Sequence, residues 1–196
     1  MDWLLLATGF TGALTCLCIA RRLSRMLFAA PTHTFHFSPK GGCTDVIVSE
    51  LSRARHEVLV LAYSFTSKPI AQALVDAKKR GVQVEIVLDH SHESEPHSEL
   101  QFFLDEGLTP LIDPHHAIAH NKIMVIDKHT VITGSFNFTN QAEHENAENL
   151  LVLKHYADLA AAYRTNFTAH KEHARAPEIK AKPAAAQGHG PSRHAA

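Results

Sequence analysis

His120-Asn121-Lys122-Ile123-Met124-Val125-Ile126-Asp127 is the stretch on which the reading of this chain turns. Ile123 to Ile126 is an unbroken apolar run rich in β-branched residues, the composition of a strand buried on both faces. Side chains alternate along a strand, so His120 and Lys122 leave on one side. Asp127 has the opposite parity and sits at the far end. One strand end therefore presents an imidazole beside an ammonium. An imidazole can attack or protonate, and an ammonium can hold a phosphate. Asp127, pointing away, is expected to be structural, holding loops through hydrogen bonds or an ion pair.

Two more short strands come next. Thr130 to Thr133 is one, continued by Gly134-Ser135-Phe136-Asn137, in which Ser135 and Asn137 share a face. Ala147 to Leu153 is the other, and it carries Glu148 among apolar residues. Adjacent strands that each end in a polar i, i+2 pair can build one pocket. A carboxylate in such a strand needs a partner if it is buried, and a histidine ring nitrogen is a natural one.

Upstream, strands and helices alternate. Strands are expected at His33–Phe37, Glu57–Tyr63, Val82–Leu88 and Leu111–Ile112. A helix with Val46, Ile47, Leu51 and Ala54 is expected to be capped by Thr44 or Asp45. A second runs from Pro69 to Arg80 and stops at Gly81. A third covers Ser98–Glu106 and stops at Gly107. A last helix, His155–His170, shows Tyr156, Leu159, Ala160, Tyr163 and Phe167 on one face. This alternation predicts an α/β domain with a mixed, largely parallel central sheet and helices on both faces. The polar residues then gather at one end of neighbouring strands, where open α/β sheets place their sites.

The chain has 196 residues, 45% of them hydrophobic and 20% charged, enough for one domain with a sizeable core. Its cysteines are Cys16, Cys18 and Cys43, which form neither a disulfide framework nor a zinc spacing. Residues 3–20 carry no charge and are followed by Arg21, Arg22 and Arg25, while Asp2 precedes them. Positive charge behind an apolar stretch favours an uncleaved transmembrane anchor, with residues after 20 in the cytoplasm. The alternative is a cleaved signal and a periplasmic or secreted domain. The expected plan is an anchor or signal segment at 1–25, a linker at 26–32, the domain at 33–170 and a disordered basic tail at 171–196.

Residues 171–196 hold five basic and two acidic side chains, and residues 1–25 three basic and one acidic. That leaves residues 26–170 at −6 in a chain of net charge −1. The domain as a whole thus lacks the basic balance of a tight nucleic-acid binder, while a local basic cleft, protonated histidines or the basic tail could still serve, and phosphodiester hydrolysis stays open.

The set His120, Lys122, Asp127, then Gly134, Ser135, Asn137, then Glu148 resembles the H-x-K-x4-D signature of the phospholipase D superfamily. Phe37-Ser38-Pro39, Ala62-Tyr63-Ser64-Phe65-Thr66, Ala77-Lys78-Lys79-Arg80-Gly81-Val82 and Gly134-Ser135-Phe136-Asn137-Phe138-Thr139 are similar to the small bacterial Nuc-type endonucleases. The anchored mitochondrial phospholipase D relatives are a further likeness. The resemblance implies phosphodiester hydrolysis without a cofactor, through a phosphohistidine on His120. With one H-x-K in the chain, it also implies a homodimer with the site on its two-fold axis. Lys122 and Asn137 would hold phosphate oxygens, Ser135 would add hydrogen bonds, and Glu148 would orient a His120 ring. The expected substrate is DNA or RNA. The alternatives are a membrane phospholipid such as cardiolipin, or a membrane-bound nucleic-acid-binding protein without catalysis.

The 16 histidines include Asp89-flanked His90 and His92, and His115 and His116 before the motif. These spacings match no compact metal motif, so no metal is expected. His115 and His116 are expected at the cleft entrance, touching substrate phosphate.

Overall fold

The computed structural model describes residues 29–95 and 97–178. A seven-stranded sheet forms from β1 (Thr32–Ser38), β2 (Glu57–Ala62), β3 (Gln83–Asp89), β4 (Leu111–Asp113), β5 (Lys122–Ile126), β6 (Thr130–Gly134) and β7 (Glu148–Lys154). The helices are α1 (Cys43–Arg53), α2 (Lys68–Lys79), α3 (Leu100–Asp105), α4 (Asn140–His144) and α5 (Ala157–His173). Strand order is β1-β7-β6-β5-β2-β3-β4. The motif strand β5 is therefore central, and all five of its residues are buried.

The sheet is mixed, but it is not largely parallel. Only β2–β3 and β3–β4 are parallel. The pairs β1–β7, β2–β5, β5–β6 and β6–β7 are antiparallel. Asp127, Lys128 and His129 alone join β5 to β6, and so short a link closes an antiparallel pair, because a parallel crossover needs a dozen or more residues. Asp127 and Lys128 take the turn at φ 51° and 66°.

Apolar alternation sorts the two faces. Val58, Val60, Met124, Ile126, Ile132 and Val152 pack against Ile47 and Leu51 of α1 and Ile70 and Leu74 of α2. Leu59, Leu61, Ile123, Val125 and Val131 pack against Ala160 and Phe167 of α5. Helices thus cover both faces, as expected.

Two end positions differ from expectation. Neither Thr44 nor Asp45 caps α1. The Glu143 carboxylate accepts the Gly42 and Thr44 N–H groups at 3.0 and 2.7 Å, supplying from α4 the anion that a helix start favours. The fold also runs past residue 170. α5 continues to His173, and Arg175 exchanges backbone hydrogen bonds with Ile112 at 2.7 and 2.9 Å, so residues 171–175 belong to the domain and not to a tail. The stretch 3–20 lies outside the described residues. No helix among those described is long and apolar enough to cross a membrane.

Candidate active site

β5 starts where β2, β3 and β4 end and where β6 stops, so the motif residues collect at one edge of the sheet. His120 precedes β5 and is exposed. Two contacts hold its neighbourhood. The buried Asp89 carboxylate accepts the Ala119 N–H at 2.7 Å. The Tyr63 N–H donates to the Asn121 carbonyl at 2.8 Å. The Tyr63 ring then lies against the His120 ring, centroid to centroid 4.5 Å, with Lys122 Nζ 5.1 Å from its own centroid. One aromatic ring thus sits beside both the His120 ring and the Lys122 ammonium.

Lys122 is only 7% exposed. Its Nζ donates to the His120 carbonyl at 3.1 Å. Burial pulls its pKa below the ordinary lysine value, and the negative charge of Glu148 pushes back. Among the described residues this ammonium makes no salt bridge, so it keeps capacity for a further anion.

Tyr63 is itself held from behind. His92 is buried, with Nε2 3.0 Å from the Tyr63 carbonyl and Nδ1 2.6 Å from Ser98 Oγ. A carbonyl only accepts, so we assign the proton to Nε2, with Ser98 donating to Nδ1. Burial pushes the His92 pKa down to about 4, against the opposing pull of the Tyr63 carbonyl and Asp89. The ring is therefore neutral at pH 7. Asp89 and His92 are thus spoken for by backbone, hydroxyl and neighbouring groups of the fold. Tyr63 and His92 are absent from the sequence-derived site.

On the other side, β6 ends at Gly134 with φ 149°, and a Cβ there would lie 2.2 Å from the Asn149 carbonyl oxygen. Only glycine lets this backbone come so close. The Ser135 and Phe136 N–H groups both donate to that carbonyl, at 3.1 and 3.2 Å. Ser135 Oγ accepts from Asn149 N and Nδ2 at 3.1 and 3.2 Å, leaving its own hydrogen free to donate. Asn137 Oδ1 is buried without a hydrogen-bond partner. Glu148, half-buried at the start of β7, accepts from Asn146 Nδ2 at 3.1 Å. Among the described residues it makes no hydrogen bond to His120.

A cleft of about 400 Å3 opens here, lined by His120, Asn121, Lys122, Thr133, Gly134, Tyr163 and Asn166 among others. A larger one, about 670 Å3, lined by Lys68, His97, Glu99, Asn140 and Glu145 among others, holds none of the motif side chains. At the opposite end of β5, the Asp127 carboxylate accepts the N–H groups of Arg55, His56 and Glu57 at 2.9, 2.7 and 3.1 Å. His115 and His116 are not in the cleft lining. They gather with His170 and His173 around Asp113.

The sequence profile of the family described as "Cardiolipin synthase, PLD-like domain" matches residues 47–171. That run contains every residue of the set from His120 to Glu148. The chain belongs to the phospholipase D superfamily. It is a hydrolase acting on phosphoric diester bonds, as the members of that superfamily are. A protein named phospholipase D from Rickettsia bellii is 42% identical over 135 residues, which are 69% of this chain and 67% of that protein. Mitochondrial cardiolipin hydrolase of Xenopus laevis is 29% identical over 106 residues, 54% of this chain and 50% of the hydrolase. Among solved structures, Nuc, a phospholipase D family member from Salmonella typhimurium, is 34% identical. It superposes with a TM-score of 0.72 over 75% of this chain and 98% of Nuc.

Proposed function

We propose that this phospholipase D superfamily member is a metal-independent nuclease, cleaving DNA or RNA with little sequence preference through a phosphohistidine on His120. The observation that carries the reading is the pairing at the mouth of the cleft. An exposed imidazole stands beside a buried ammonium whose hydrogen bond goes to a carbonyl and not to a carboxylate, with Tyr63 packed against both. His120 attacks phosphorus and the leaving oxygen departs opposite to it. Lys122 holds a non-bridging oxygen as charge develops, and the Ser135 hydroxyl and Asn137 amide add hydrogen bonds nearby.

In-line displacement puts the acid on the far side of the phosphorus, where the same imidazole cannot reach. A second copy of the chain supplies it: its His120 protonates the leaving oxygen and then activates water. Edge strand β1 supports this assembly. Phe35 and Phe37 are each 62% exposed, and Phe37 pairs with Asn149, the residue that holds Ser135. A copy seated on that edge covers the apolar pair and brings two sites together. Glu148, which makes no hydrogen bond to His120 among the described residues, is then available to orient a ring across the axis.

Phospholipid is the second reading. Ile118, two residues before His120, is 57% exposed, and relatives carry the names phospholipase D and cardiolipin hydrolase. In this reading residues 3–20 anchor the chain and hold the cleft near the bilayer. The test measures cleavage of single-stranded DNA, of bis(p-nitrophenyl) phosphate and of cardiolipin vesicles, all in excess EDTA, beside His120→Ala. Cleavage of DNA and reporter, lost in the variant, supports the nuclease. Cleavage of vesicles and reporter but not DNA moves the assignment to phospholipid. Nucleic-acid binding that survives in the variant, with no turnover in either protein, means a binding protein. Activity that EDTA abolishes at a temperature where the protein stays folded contradicts the metal-free chemistry.

A further inference from the structure

We propose that Asp113, His116, His170 and His173 form a transition-metal site of the zinc type that fastens the end of α5 to β4. Asp113 is fully buried at the end of β4. Its Oδ2 lies 2.6 Å from His170 Nδ1 and 3.0 Å from His116 Nδ1, and its Oδ1 lies 3.1 Å from His173 Nε2. One ligand atom from each of the four residues lies within 4.8 Å of all the others. Tetrahedral zinc sets its ligand atoms about 3.3 Å apart, given bonds of about 2.0 Å, so modest side-chain rotation closes the set around an ion.

The donor chemistry selects the ion class. Three imidazoles and one carboxylate suit zinc, cobalt, nickel or copper, whereas magnesium and calcium ask for oxygen donors. Two short pairs supply the ligands. Asp113, the last residue of β4, and His116, in the loop that follows, are three apart, and His170 and His173 are three apart in the last turn of α5, on one helix face. The helix pair meets the loop pair because α5 crosses the β4 edge. The nearby Arg175–Ile112 bridge holds the same junction.

Hydrogen bonding alone leaves this cluster incomplete. Three rings crowd one carboxylate, with centroids 4.8, 5.3 and 5.7 Å apart. His173 Nε2 is buried and makes no hydrogen bond of acceptable geometry. A cation among the three nitrogens and the carboxylate satisfies all four together. On the outer side, His170 Nε2 lies 3.5 Å from the Asn121 side chain, the kind of outer contact that orients a ligating imidazole. Asn121 is the neighbour of His120, so the clamp stiffens the base of the active-site strand while remaining apart from the reaction.

The test uses the full-length protein, stripped of metal and titrated with zinc against a chromophoric chelator, with cobalt(II) as the spectroscopic probe. One zinc binds per chain, and cobalt gives the intense visible bands of a tetrahedral site. His173→Ala and His170→Asn each weaken zinc binding by at least about 100-fold, more than loss of an outer contact would. His173 is partly exposed in the last turn of α5, and a circular dichroism spectrum matching wild type checks that His173→Ala keeps the fold. His120→Ala and the double variant His189→Ala/His194→Ala bind as wild type does, which separates the cluster from the active site and from other histidines. Zinc at a hundred times its Kd raises the Tm by roughly 5–10 °C. Folded wild-type protein that takes up no zinc below about 10 μM makes the cluster a hydrogen-bonded structural knot and overturns the proposal. Zinc uptake unchanged by His173→Ala and His170→Asn overturns it equally.

Discussion

The two ends of β5 both carry polar side chains, and the fold satisfies those of one end far more fully than those of the other. At one end His120 is exposed, and Lys122 is buried with a single carbonyl as its close partner. At the other end the Asp127 carboxylate is filled by three backbone N–H groups that close the turn between α1 and β2. His120 and Lys122 keep bonding capacity that the fold does not use, and Asp127 spends its own on the fold. The spacing of a sequence motif does not separate these roles, but the hydrogen bonds around each member do.

Substitutions at the two ends test that contrast. The largest effect is expected at His120, where on the proposed mechanism alanine removes nucleophile and acid together. Turnover of bis(p-nitrophenyl) phosphate should fall by at least about 10⁴-fold with the Tm unchanged within a degree or two. Retained turnover would erase the distinction between the ends. Lys122→Met should cost roughly 10²–10³-fold, since it removes one cation from developing charge. Burial lowers the Lys122 pKa, so the wild-type rate should already decline on the alkaline side below pH 10.5, as the ammonium loses its proton. A pH–rate profile of the variant should lack that limb.

Next in size is the support behind Tyr63. The folded-state pKa of His92 is depressed from 6.5 to about 4. Between these values the unfolded chain takes up a proton that the native ring refuses. The native state is therefore at full advantage above pH 6.5 and loses up to about 3 kcal/mol as pH falls to 4. Urea unfolding at several pH values should show this loss, and His92→Gln should flatten it. The smallest effect on function belongs to Asp127. Asp127→Ala should destabilise by about 2 kcal/mol, because water replaces part of what the half-buried carboxylate gave. The kcat per folded molecule should stay as in wild type. A large kcat loss would assign this end a part in the chemistry.

Much of this contrast was legible in the residues. The apolar run Ile123–Ile126 marked the central strand, and the parity of Asp127 turned it away from His120. The direction of the sheet was less legible. Alternating strands and helices suggested parallel pairing, while the three-residue link Asp127–His129 and the pairing of β2 with β5 made most of the sheet antiparallel. Tyr63 escaped as a site residue because it meets His120 only through that pairing. Glu143 escaped as a cap because it reaches α1 from α4, across the fold. The histidine cluster escaped for the same reason: Asp113 and His170 are 57 residues apart, and the apolar stripe of α5 gave no sign that the helix runs three residues further. Local pattern sets elements and their faces, while contacts between distant elements depend on register.

The most direct measurement of the central claim is a rapid-mixing experiment with bis(p-nitrophenyl) phosphate in EDTA, quenched for intact-mass analysis. If His120 is the nucleophile, p-nitrophenolate is released in a burst that does not exceed the concentration of sites. An acid-labile nitrophenylphosphoryl adduct then maps to His120 and is absent from His120→Ala. Steady turnover with neither burst nor adduct would leave the covalent step unsupported. An adduct on any other residue, or turnover that persists in His120→Ala, would contradict the account.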